Sequence, residues 1–546
     1  MRKNAPQGIN SGFFSKTIIL LGGFVLLGLL LNIVLRFTAV SIWDDAYFFA
    51  RYADNWLASN SFSWNLGASP SYGLTSLSYG IWITFLRFFG GEIPMTLWVG
   101  SLFWGIVTLV LLSKLVAKLG SAIPDGKKKP ALLLVFALTL SAVKLSIHFC
   151  SGMDTTMAMA WMSGYLLLYL STENRLSPSK ALLLGLLGGM GWIIRPDLLV
   201  FPFLMAFARL IFDNRPGIRK MSAYVLLFTA ATVILLMANC LNTLGGLLPL
   251  SFYVKSYASY GAGIEAAYAW QGTKHVVIFL LLSIPLWLPI ILHFPKDWRN
   301  RFPIGDIGLI LGVMIFLAYH AFWVTPIMGY EERFLYPAWP VLVFLGARAV
   351  NRPSKWPIFE QLSSFTEKRR LNALALGFIL LCMGAFSWYA KPANLRQHWG
   401  EMKVESAYQE LGQNNWPFLP RFIPLGSDLS FASTELGILG ALAPQHKVID
   451  LSGLHDPSIT GTTFDPDRLC DDQKPDLIYM PHPDYVEMIA ALRSSPSFQK
   501  NYQEYLSETL HTWLGIAIRK ESRYFVQMRD IILEGISVEE ESSLSK

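Results

Sequence analysis

The chain of 546 residues is 53% hydrophobic and 15% charged, with a mean hydropathy of +0.40. Soluble proteins carry about 25% charged residues, so this composition excludes a soluble enzyme, a disordered chain and a disulfide scaffold, and favours a polytopic helical membrane protein. The formal net charge of +7 indicates basic loops that set membrane topology rather than a nucleic-acid-binding surface. The cysteines at positions 150, 240, 382 and 470 form no CxxC pair, which argues against a zinc or redox site.

Apolar segments long enough to cross a bilayer recur along the first 390 residues, since a spanning helix needs about 20 mostly apolar residues. The segment 181–212 is interrupted by Arg195, Pro196 and Asp197, and is either two short spans or one re-entrant hairpin. The first segment is too long for a cleavable signal peptide and lacks a small-residue cleavage site. Besides 181–212, the predicted spans are 17–40, 93–113, 131–149, 153–170, 221–241, 275–294, 305–324, 334–350 and 371–390.

The distribution of basic residues predicts an orientation. With the N-terminus inside and 181–212 crossing twice, the chain has about 11 spans and its C-terminus lies outside. Most Lys and Arg residues before residue 391 then fall on inside loops, as the positive-inside rule requires. A re-entrant 181–212 would remove two crossings and leave this orientation unchanged. The outside loops hold Arg51, Arg87, Arg195, Lys255, Lys274 and Arg333.

The composition changes after Lys391, where the chain becomes polar enough to be soluble. Short β-like runs, RFIPLGSDLS, KVIDLSGL, PDLIYMP and TWLGIAIRK, alternate with helical stretches around 401–412, 434–442 and 485–493. This alternation predicts a small α/β domain of about 150 residues. The predicted fold is mainly α, with a polytopic transmembrane helical bundle in 1–390 that carries catalytic outer loops, and an extracytoplasmic, periplasmic α/β domain in 391–546.

The outer loops carry ionisable residues at the membrane face, where such groups are costly and usually line a cavity, pair with one another or do chemistry. Asp44 and Asp45 follow the first predicted span directly. Two adjacent carboxylates can bind a cation, or one can act as a general base while the other orients it. The alternative is that they only end the helix in solvent. Because aromatic residues flank the pair, we predict a catalytic role, with Asp44 at the reaction centre and Asp45 in support.

Two further outer turns contain acidic residues. Asp154 opens a predicted span after Gly152 and Met153, and we expect it to cap that helix because an acidic residue complements the helix dipole. Arg195 and Asp197 either pair with each other, or Arg195 clamps a phosphate, whose oxygens match its guanidinium fork. Because Pro196 ends the helix, Arg195 is the favoured phosphate ligand.

Other candidate donor-binding residues lie in separate loops. Lys255, beside Tyr253, either snorkels to the membrane interface or contacts substrate. Arg51 lies about two helical turns beyond Asp44, close enough to share its site. A second group comprises Glu331, Glu332 and Arg333, in which at least one acid is expected to pair with the arginine, and His455 and Asp456, which follow a β-like run.

A His–Asp pair in a loop is common without function, but the end of a strand is where α/β domains place their sites. Two carboxylates are too few ligands to define a metal site, so a divalent cation, Mg²⁺ or Mn²⁺, stays open at this stage. The sequence contains neither a GxGxxG fingerprint after a strand nor a Walker A motif, which argues against a nucleotide ligand.

The outer-loop motifs occur in a recognisable order. They are DDAY after the first span, SGMDT, RPD, LLPLSFYVK, RFLYPAWP and a late IDLSGLHDP. In this order they resemble the terminal β-(1→2)-arabinofuranosyltransferase of mycobacterial cell walls and its bacterial relatives, within the GT-C superfamily of polytopic glycosyltransferases. The resemblance covers about residues 40–480. The sequence departs from the family at Asp154, where relatives often have Glu, and at Leu198, where a small residue commonly follows the acid.

This resemblance implies a polyprenyl-phosphate-linked sugar donor, an active site at the outer face and an acidic motif at Asp44 and Asp45. It implies a multi-pass protein of the bacterial inner (plasma) membrane. We therefore predict a glycosyltransferase that moves a sugar, with arabinofuranose first by resemblance, to a glycan, lipid or protein acceptor. The alternatives are a transporter or flippase of a lipid-linked glycan and a non-catalytic glycan-assembly protein, although transporters tend to show inverted repeats, and none stands out here.

Overall fold

The computed structural model describes residues 42–120, 128–173, 176–256, 270–301, 303–326, 329–350, 418–457, 459–460, 464–505 and 515–544. The predicted spans 17–40 and 371–390 and the predicted helix 401–412 lie outside these residues.

Two helices that hydropathy did not predict lie at the start of the described chain: α1 (Ala46–Ser59) and α2 (Leu77–Phe88). Ser76 begins α2 by accepting a hydrogen bond from the N–H of Tyr79 at 3.4 Å. Asn60 ends α1 in the left-handed region, with φ of 54°, which Asn tolerates better than most residues. Both helices are shorter than the about 20 residues of a spanning segment, so a search for spans passes over them.

The membrane part consists of apolar helices between residues 93 and 350. Among the described residues, four helices are long and apolar enough to cross a membrane, namely 93–120, 133–150, 216–244 and 304–322. The bounds are α3 (Ile93–Gly120), α4 (Lys128–Cys150), α5 (Thr155–Thr172), α6 (Pro178–Ile194), α7 (Val200–Phe212), α8 (Pro216–Leu244), α9 (Leu250–Ser256), α10 (Gln271–Leu282), α11 (Ile284–Arg301), α12 (Ile304–Phe322) and α13 (Trp339–Val350).

The segment predicted as one span at 275–294 is not a straight helix. Its two halves, α10 and α11, meet at an angle of 79°. Pro285 lies in the first turn of α11 and has no N–H to donate, so the helical ladder cannot continue through it. The N–H of Ser283 instead closes α10 on the carbonyl oxygens of Phe279 and Leu280, at 3.0 and 3.1 Å. The hydropathy pattern therefore predicted the apolar segment but not the bend within it.

Helices α6 and α8 approach closely because of small residues. A Cβ added at Gly185 would lie 2.5 Å from Phe228 Cβ and 2.9 Å from the carbonyl oxygen of Val225. Gly189, four residues on and therefore on the same helix face, faces the side chain of Thr232 in the same way. Small residues at this spacing let two membrane helices pack through their backbones.

We expect Gly185→Leu to lower the stability of the folded protein by about 1–3 kcal/mol, because the backbone of α8 cannot move aside for the new side chain. Thermal unfolding in detergent measures this change. Gly217→Leu is the matched control, because no atom lies within 4 Å of a Cβ added in the first turn of α8. Equal melting temperatures for the two variants would contradict the packing interpretation.

The C-terminal part contains a sheet of five strands in the order β2-β1-β3-β5-β4. Strands β1, β2 and β3 are parallel, whereas β5 is antiparallel to both β3 and β4. The bounds are β1 (Ser430–Ser433), β2 (Lys447–Asp450), β3 (Leu477–Tyr479), β4 (Tyr502–Tyr505) and β5 (Ile516–Arg519), with helices α14 (Leu419–Phe422), α15 (Gly437–Leu442), α16 (Val486–Ser494), α17 (Pro496–Asn501) and α18 (Phe525–Leu544).

The first half of the run RFIPLGSDLS, predicted as a strand, is helical. Pro420 lies in the first turn of α14 and Pro424 in the first turn of the 3-10 segment Ile423–Leu425, positions where a missing N–H costs nothing. Strand β1 begins at Ser430, the last residue of that run. The runs KVIDLSGL, PDLIYMP and TWLGIAIRK contain β2, β3 and β5.

One hydrophobic cluster joins the outer helices to the C-terminal sheet. Tyr47 and Tyr52 of α1 belong to the same buried cluster as Phe431 of β1 and Leu439 of α15. The carboxyl ends of the parallel strands β1 and β2 lie at one edge of the sheet, where loops of α/β domains place functional residues. The loops after β1 and β2 therefore meet the outer loops of the membrane helices.

Candidate active site

A cavity lies where the outer helices, the membrane helices and the loop after β2 meet. It contains about 510 Å³ of space, including its open mouth. Five charged side chains from separate stretches of the chain line the cavity: Asp45, Asp154, Arg195, Lys255 and Arg333. These are charged groups in largely apolar surroundings, which proteins seldom bury without function.

The two carboxylates that line the cavity are both nearly inaccessible to water. Asp45 is 9% exposed and forms an ion pair with Arg333. Asp154 is 6% exposed and precedes α5, but its side chain makes no capping hydrogen bond. Asp154 therefore occupies the predicted N-cap position, but without a side-chain capping bond. The backbone of Asp154 is already α-helical, with φ of −70° and ψ of −10°, whereas a capping residue is normally extended.

Three cations gather around the ring of Phe334. The ring centroid lies 4.8 Å from the guanidinium carbon of Arg333, 5.1 Å from Lys255 Nζ and 5.5 Å from the guanidinium carbon of Arg195. An aromatic face attracts cations and so permits them to lie closer together than their repulsion would otherwise allow. The result is a concentration of positive charge on one wall of the cavity.

Arg333 differs from the other cations in its hydrogen bonds. One terminal nitrogen donates to Asp45, while Nε and Nη1 are buried and have no hydrogen-bond partner within the described ranges. Buried N–H groups of a charged fork are expensive to leave unpaired, so this geometry is suited to an anionic ligand.

Arg195 and Asp197 form the pair that the sequence left as an alternative to phosphate binding. Arg195 Nη2 donates to Asp197 Oδ2 at 2.8 Å, and Nε donates to Oδ1 at 3.3 Å. His320 Nε2 lies 3.2 Å from Asp197 Oδ2. Arg195 lines the cavity and Asp197 does not, so Asp197 holds Arg195 in place rather than contacting a ligand there.

Asp44 and Asp45, although adjacent in the chain, direct their side chains to different places. Both carboxylate oxygens of Asp44 accept backbone hydrogen bonds at the start of α15, from Gly437 at 2.9 Å and Ile438 at 2.7 Å. Asp44 does not line the cavity. Burial raises its pKa to about 6, and Asp45 adds to this effect while the bond from Ile438 opposes it. Asp44 thus attaches the C-terminal part to the outer helices, and Asp45 faces the cavity.

Arg51 is not brought to the cavity. Its guanidinium donates to the carbonyl oxygens of Trp64, Ala443 and His446 at 2.7, 3.1 and 2.9 Å, and also to that of Gly440. With its donors directed at backbone carbonyls around the end of α15, Arg51 joins the same two parts of the chain as Asp44. This geometry assigns Arg51 a structural role.

The expected pairing of Arg333 with Glu331 or Glu332 is not formed. Both glutamates have left-handed backbones, with φ of 58° and 57°, which turns their side chains to Lys144. Glu332 lies 2.8 Å from Lys144 Nζ and 3.2 Å from His275 Nδ1, and Glu331 also pairs with Lys144. Glu332 lines a smaller neighbouring cavity.

The remaining candidates divide between the cavity and its surroundings. His455 lines the cavity, whereas Tyr253 and Asp456 do not. His455 stacks on Trp64, with ring centroids 4.3 Å apart and an angle of 12° between the planes. Its position is fixed by Asp450, whose Oδ2 accepts the backbone N–H of His455 at 2.5 Å.

Sequence reasoning missed several residues. Lys144 interrupts an apolar helix, and a charge inside a predicted span was an available signal. Glu435 has no such signal in the sequence, because only tertiary folding brings it close to Asp44 and Asp45. Burial, followed by Asp44 and Asp45, raises the pKa of Glu435 well above its usual value.

The donor set does not fit a divalent cation. Asp45 already forms an ion pair with Arg333, and the described part of the chain contains no group of three or more His, Cys, Asp or Glu residues suited to a metal ion. Mg²⁺ needs oxygen ligands in near-octahedral geometry. No step is therefore assigned to the Mg²⁺ or Mn²⁺ left open by the sequence.

Comparison with known proteins identifies the fold. No protein-family model and no curated protein sequence match the chain. The crystal structure of ArnT from Cupriavidus metallidurans bound to undecaprenyl phosphate matches with a TM-score of 0.51 and 13% identity, over 93% of this chain and 99% of ArnT. The apo structure of the same protein gives a TM-score of 0.49 and 15% identity, over 91% and 97% of the two chains. The chain therefore has the fold of ArnT over most of its length, and at this identity the likeness shows the fold alone.

Proposed function

We propose that this chain is a membrane glycosyltransferase of the GT-C type that transfers one sugar from a polyprenyl phosphate to an acceptor outside the cytoplasm. The observation that carries the proposal is the single cavity that combines Asp45 and Asp154 with three cations around Phe334. Its fold is that of ArnT, and ArnT has been crystallised with undecaprenyl phosphate bound.

Arg333, Lys255 and Arg195 bind the donor phosphate in this proposal. When the sugar leaves, negative charge develops on the phosphate oxygens, and fixed cations in a water-poor cavity stabilise that charge more strongly than they would in bulk water. Arg333 is the principal ligand because Nε and Nη1 lack partners within the described ranges. Arg195 contributes from a position that Asp197 fixes.

Asp45 is the carboxylate at the reaction centre. The bond between the anomeric carbon and the phosphate oxygen breaks, its electrons leave with the polyprenyl phosphate, and the acceptor oxygen forms the new bond. In an inverting transfer, Asp45 takes the proton of the acceptor hydroxyl. In a retaining transfer, Asp45 displaces the polyprenyl phosphate and bonds to the anomeric carbon; the acceptor oxygen then displaces Asp45, and the acceptor proton passes to the departed phosphate. The anomeric configuration of the product distinguishes the two routes.

The affinity for the donor phosphate should fall as the pH rises above about 8. Burial lowers the pKa of Lys255 to about 8, with Asp45 opposing the change, so the ammonium loses its proton and its charge in that range. Binding of farnesyl phosphate between pH 6.5 and 9.5 measures the effect. Lys255→Arg should remove the decline because arginine stays charged, and an unchanged decline in that variant would assign the titration to another group.

The proposed function also includes the identity of the sugar, the class of acceptor and the side of the membrane on which transfer takes place. By the resemblance of the outer-loop motifs, the sugar is an arabinofuranose and the acceptor a glycan, lipid or protein of the cell envelope. The C-terminal part, 391–546, lies on the extracytoplasmic side of the bacterial inner membrane and faces the acceptor. The positive-inside distribution supports this orientation.

Transfer of labelled sugar by purified protein in detergent tests the proposal. Detergent leaves no compartments, so a transporter or flippase would give no product, and a non-catalytic assembly protein would bind glycan without turnover. A labelled acceptor that depends on added polyprenyl-phosphate sugar is the expected result. Absence of product with a bound and folded protein would contradict the enzyme assignment.

A further inference from the structure

His455 is a buried histidine in the lining of the cavity. Its side chain is buried, with 2% of the residue exposed, and Nε2 has no hydrogen-bond partner among the residues that the structure describes. The other nitrogen, Nδ1, lies 3.4 Å from the hydroxyl of Tyr52. A buried polar atom without a partner costs free energy unless a ligand or water completes it.

The ring of His455 cannot turn freely to find another partner. Trp64 stacks against one face, and the edge of Phe48 lies against it with ring centroids 4.3 Å apart. A Cβ added at Gly73 would lie 2.5 Å from Nδ1, so only glycine leaves room at that point. The surroundings hold the imidazole in one orientation.

Neutral polar groups accompany His455 in the cavity wall. Thr75 and Ser251 both line the cavity, and their hydroxyl oxygens are 2.8 Å apart. Burial and the nearby cations Arg51 and Lys255 lower the pKa of His455 well below its usual value, so the ring is neutral. A neutral imidazole nitrogen and hydroxyl groups beside an aromatic ring suit the hydroxyls of a sugar, whereas the cations around Phe334 suit a phosphate.

We infer that His455, Thr75 and Ser251 form a sugar-binding subsite in which His455 Nε2 hydrogen-bonds a hydroxyl of the transferred sugar. This inference rests on the proposed function and deepens it, because it gives the C-terminal part a direct contact with the donor. The loop after β2 then determines which sugar the cavity accepts.

The test compares two probes, farnesyl phosphate and farnesyl phosphoryl-arabinofuranose, on the full-length protein in detergent. Wild-type protein should bind the sugar-bearing probe more tightly. His455→Phe keeps the stacked ring and removes Nε2, so it should lower this preference about tenfold, as expected for one lost hydrogen bond, and leave the affinity for farnesyl phosphate unchanged.

Two other variants separate binding from packing. Gln can place its amide nitrogen near the position of Nε2, so His455→Gln should retain most of the preference, whereas the shorter His455→Asn should behave like His455→Phe. If the ring only fills space, His455→Phe will resemble wild type and His455→Gln will be the poorest variant, and the inference is overturned. His446→Phe is the matched control, since it removes a buried histidine that does not line the cavity.

The measurements distinguish an error in the phosphate site from an error in the sugar subsite. Wild-type protein that does not bind farnesyl phosphate would contradict the phosphate site and the proposed function. Wild-type protein that binds both probes equally would leave the phosphate site standing and refute the sugar subsite. Thermal unfolding of each variant shows whether a loss comes from misfolding.

Discussion

Asp45→Asn should reduce sugar transfer at least about a thousandfold, while Asp44→Asn should stay within about tenfold of wild type. The amide at position 45 can neither accept the acceptor proton nor attack the anomeric carbon, and loss of such a group commonly costs several orders of magnitude. At position 44 the amide oxygen can still accept one of the two backbone hydrogen bonds, from Gly437 or Ile438, that the two carboxylate oxygens accept.

Initial rates with labelled donor measure both variants, with membrane insertion and melting temperature as controls. The two residues are adjacent and chemically identical, so the pair is internally matched. The opposite ranking, with Asp44→Asn inactive and Asp45→Asn active, would restore the assignment that the sequence favoured. Asp45→Glu separates charge from position, and partial activity is expected if the longer carboxylate still reaches the reaction centre.

Arg333→Ala should weaken binding of farnesyl phosphate about 10–100-fold, since a hydrogen bond to a charged group contributes about 1.5–3 kcal/mol. It should lower the transfer rate further, because the charge on the departing phosphate is greatest in the transition state. Arg333→Lys should recover only part of the affinity, because lysine lacks the planar fork.

Lys274 provides the control for net charge, since it lies in the first turn of α10 and does not line the cavity. Lys274→Ala removes one positive charge and should leave farnesyl phosphate affinity unchanged. If well-folded Arg333→Ala protein binds farnesyl phosphate as tightly as wild type does, Arg333 is not a phosphate ligand. If adding Asp45→Ala to the Arg333→Ala variant fully restores the affinity for farnesyl phosphate, Arg333 acts only by neutralising Asp45.

The membrane class and the position of most apolar helices followed from the sequence because both depend on local composition. The bend at Pro285 also had a local cause, but a hydropathy window averages over it. Helices α1 and α2 were missed because, at 14 and 12 residues, they are too short for a membrane span. Their aromatic residues become informative only when the C-terminal sheet is present to cover them.

The candidate site was predictable as a set of residues and not as an arrangement. The sequence indicated Arg195, Lys255 and Arg333 because charges at a membrane face are costly, yet their meeting at Phe334 requires three separate loops to fold together. The division between Asp44 and Asp45 depends on α15, whose contacts with Asp44 join residues 393 and 394 positions apart. No local pattern encodes that distance.

The hydrophobic cluster shared by α1 and the C-terminal sheet has a consequence for biosynthesis. Ribosomes add about 5–20 residues per second, so about 20–80 seconds separate the synthesis of Asp44 from that of its partner Gly437. During that interval Tyr47 and Tyr52 have left the ribosome without the strands that bury them. The nascent chain must therefore shield this aromatic face against lipid or a chaperone until about the last fifth of the chain is made. A premature stop after the membrane helices would leave a product that quality control can recognise.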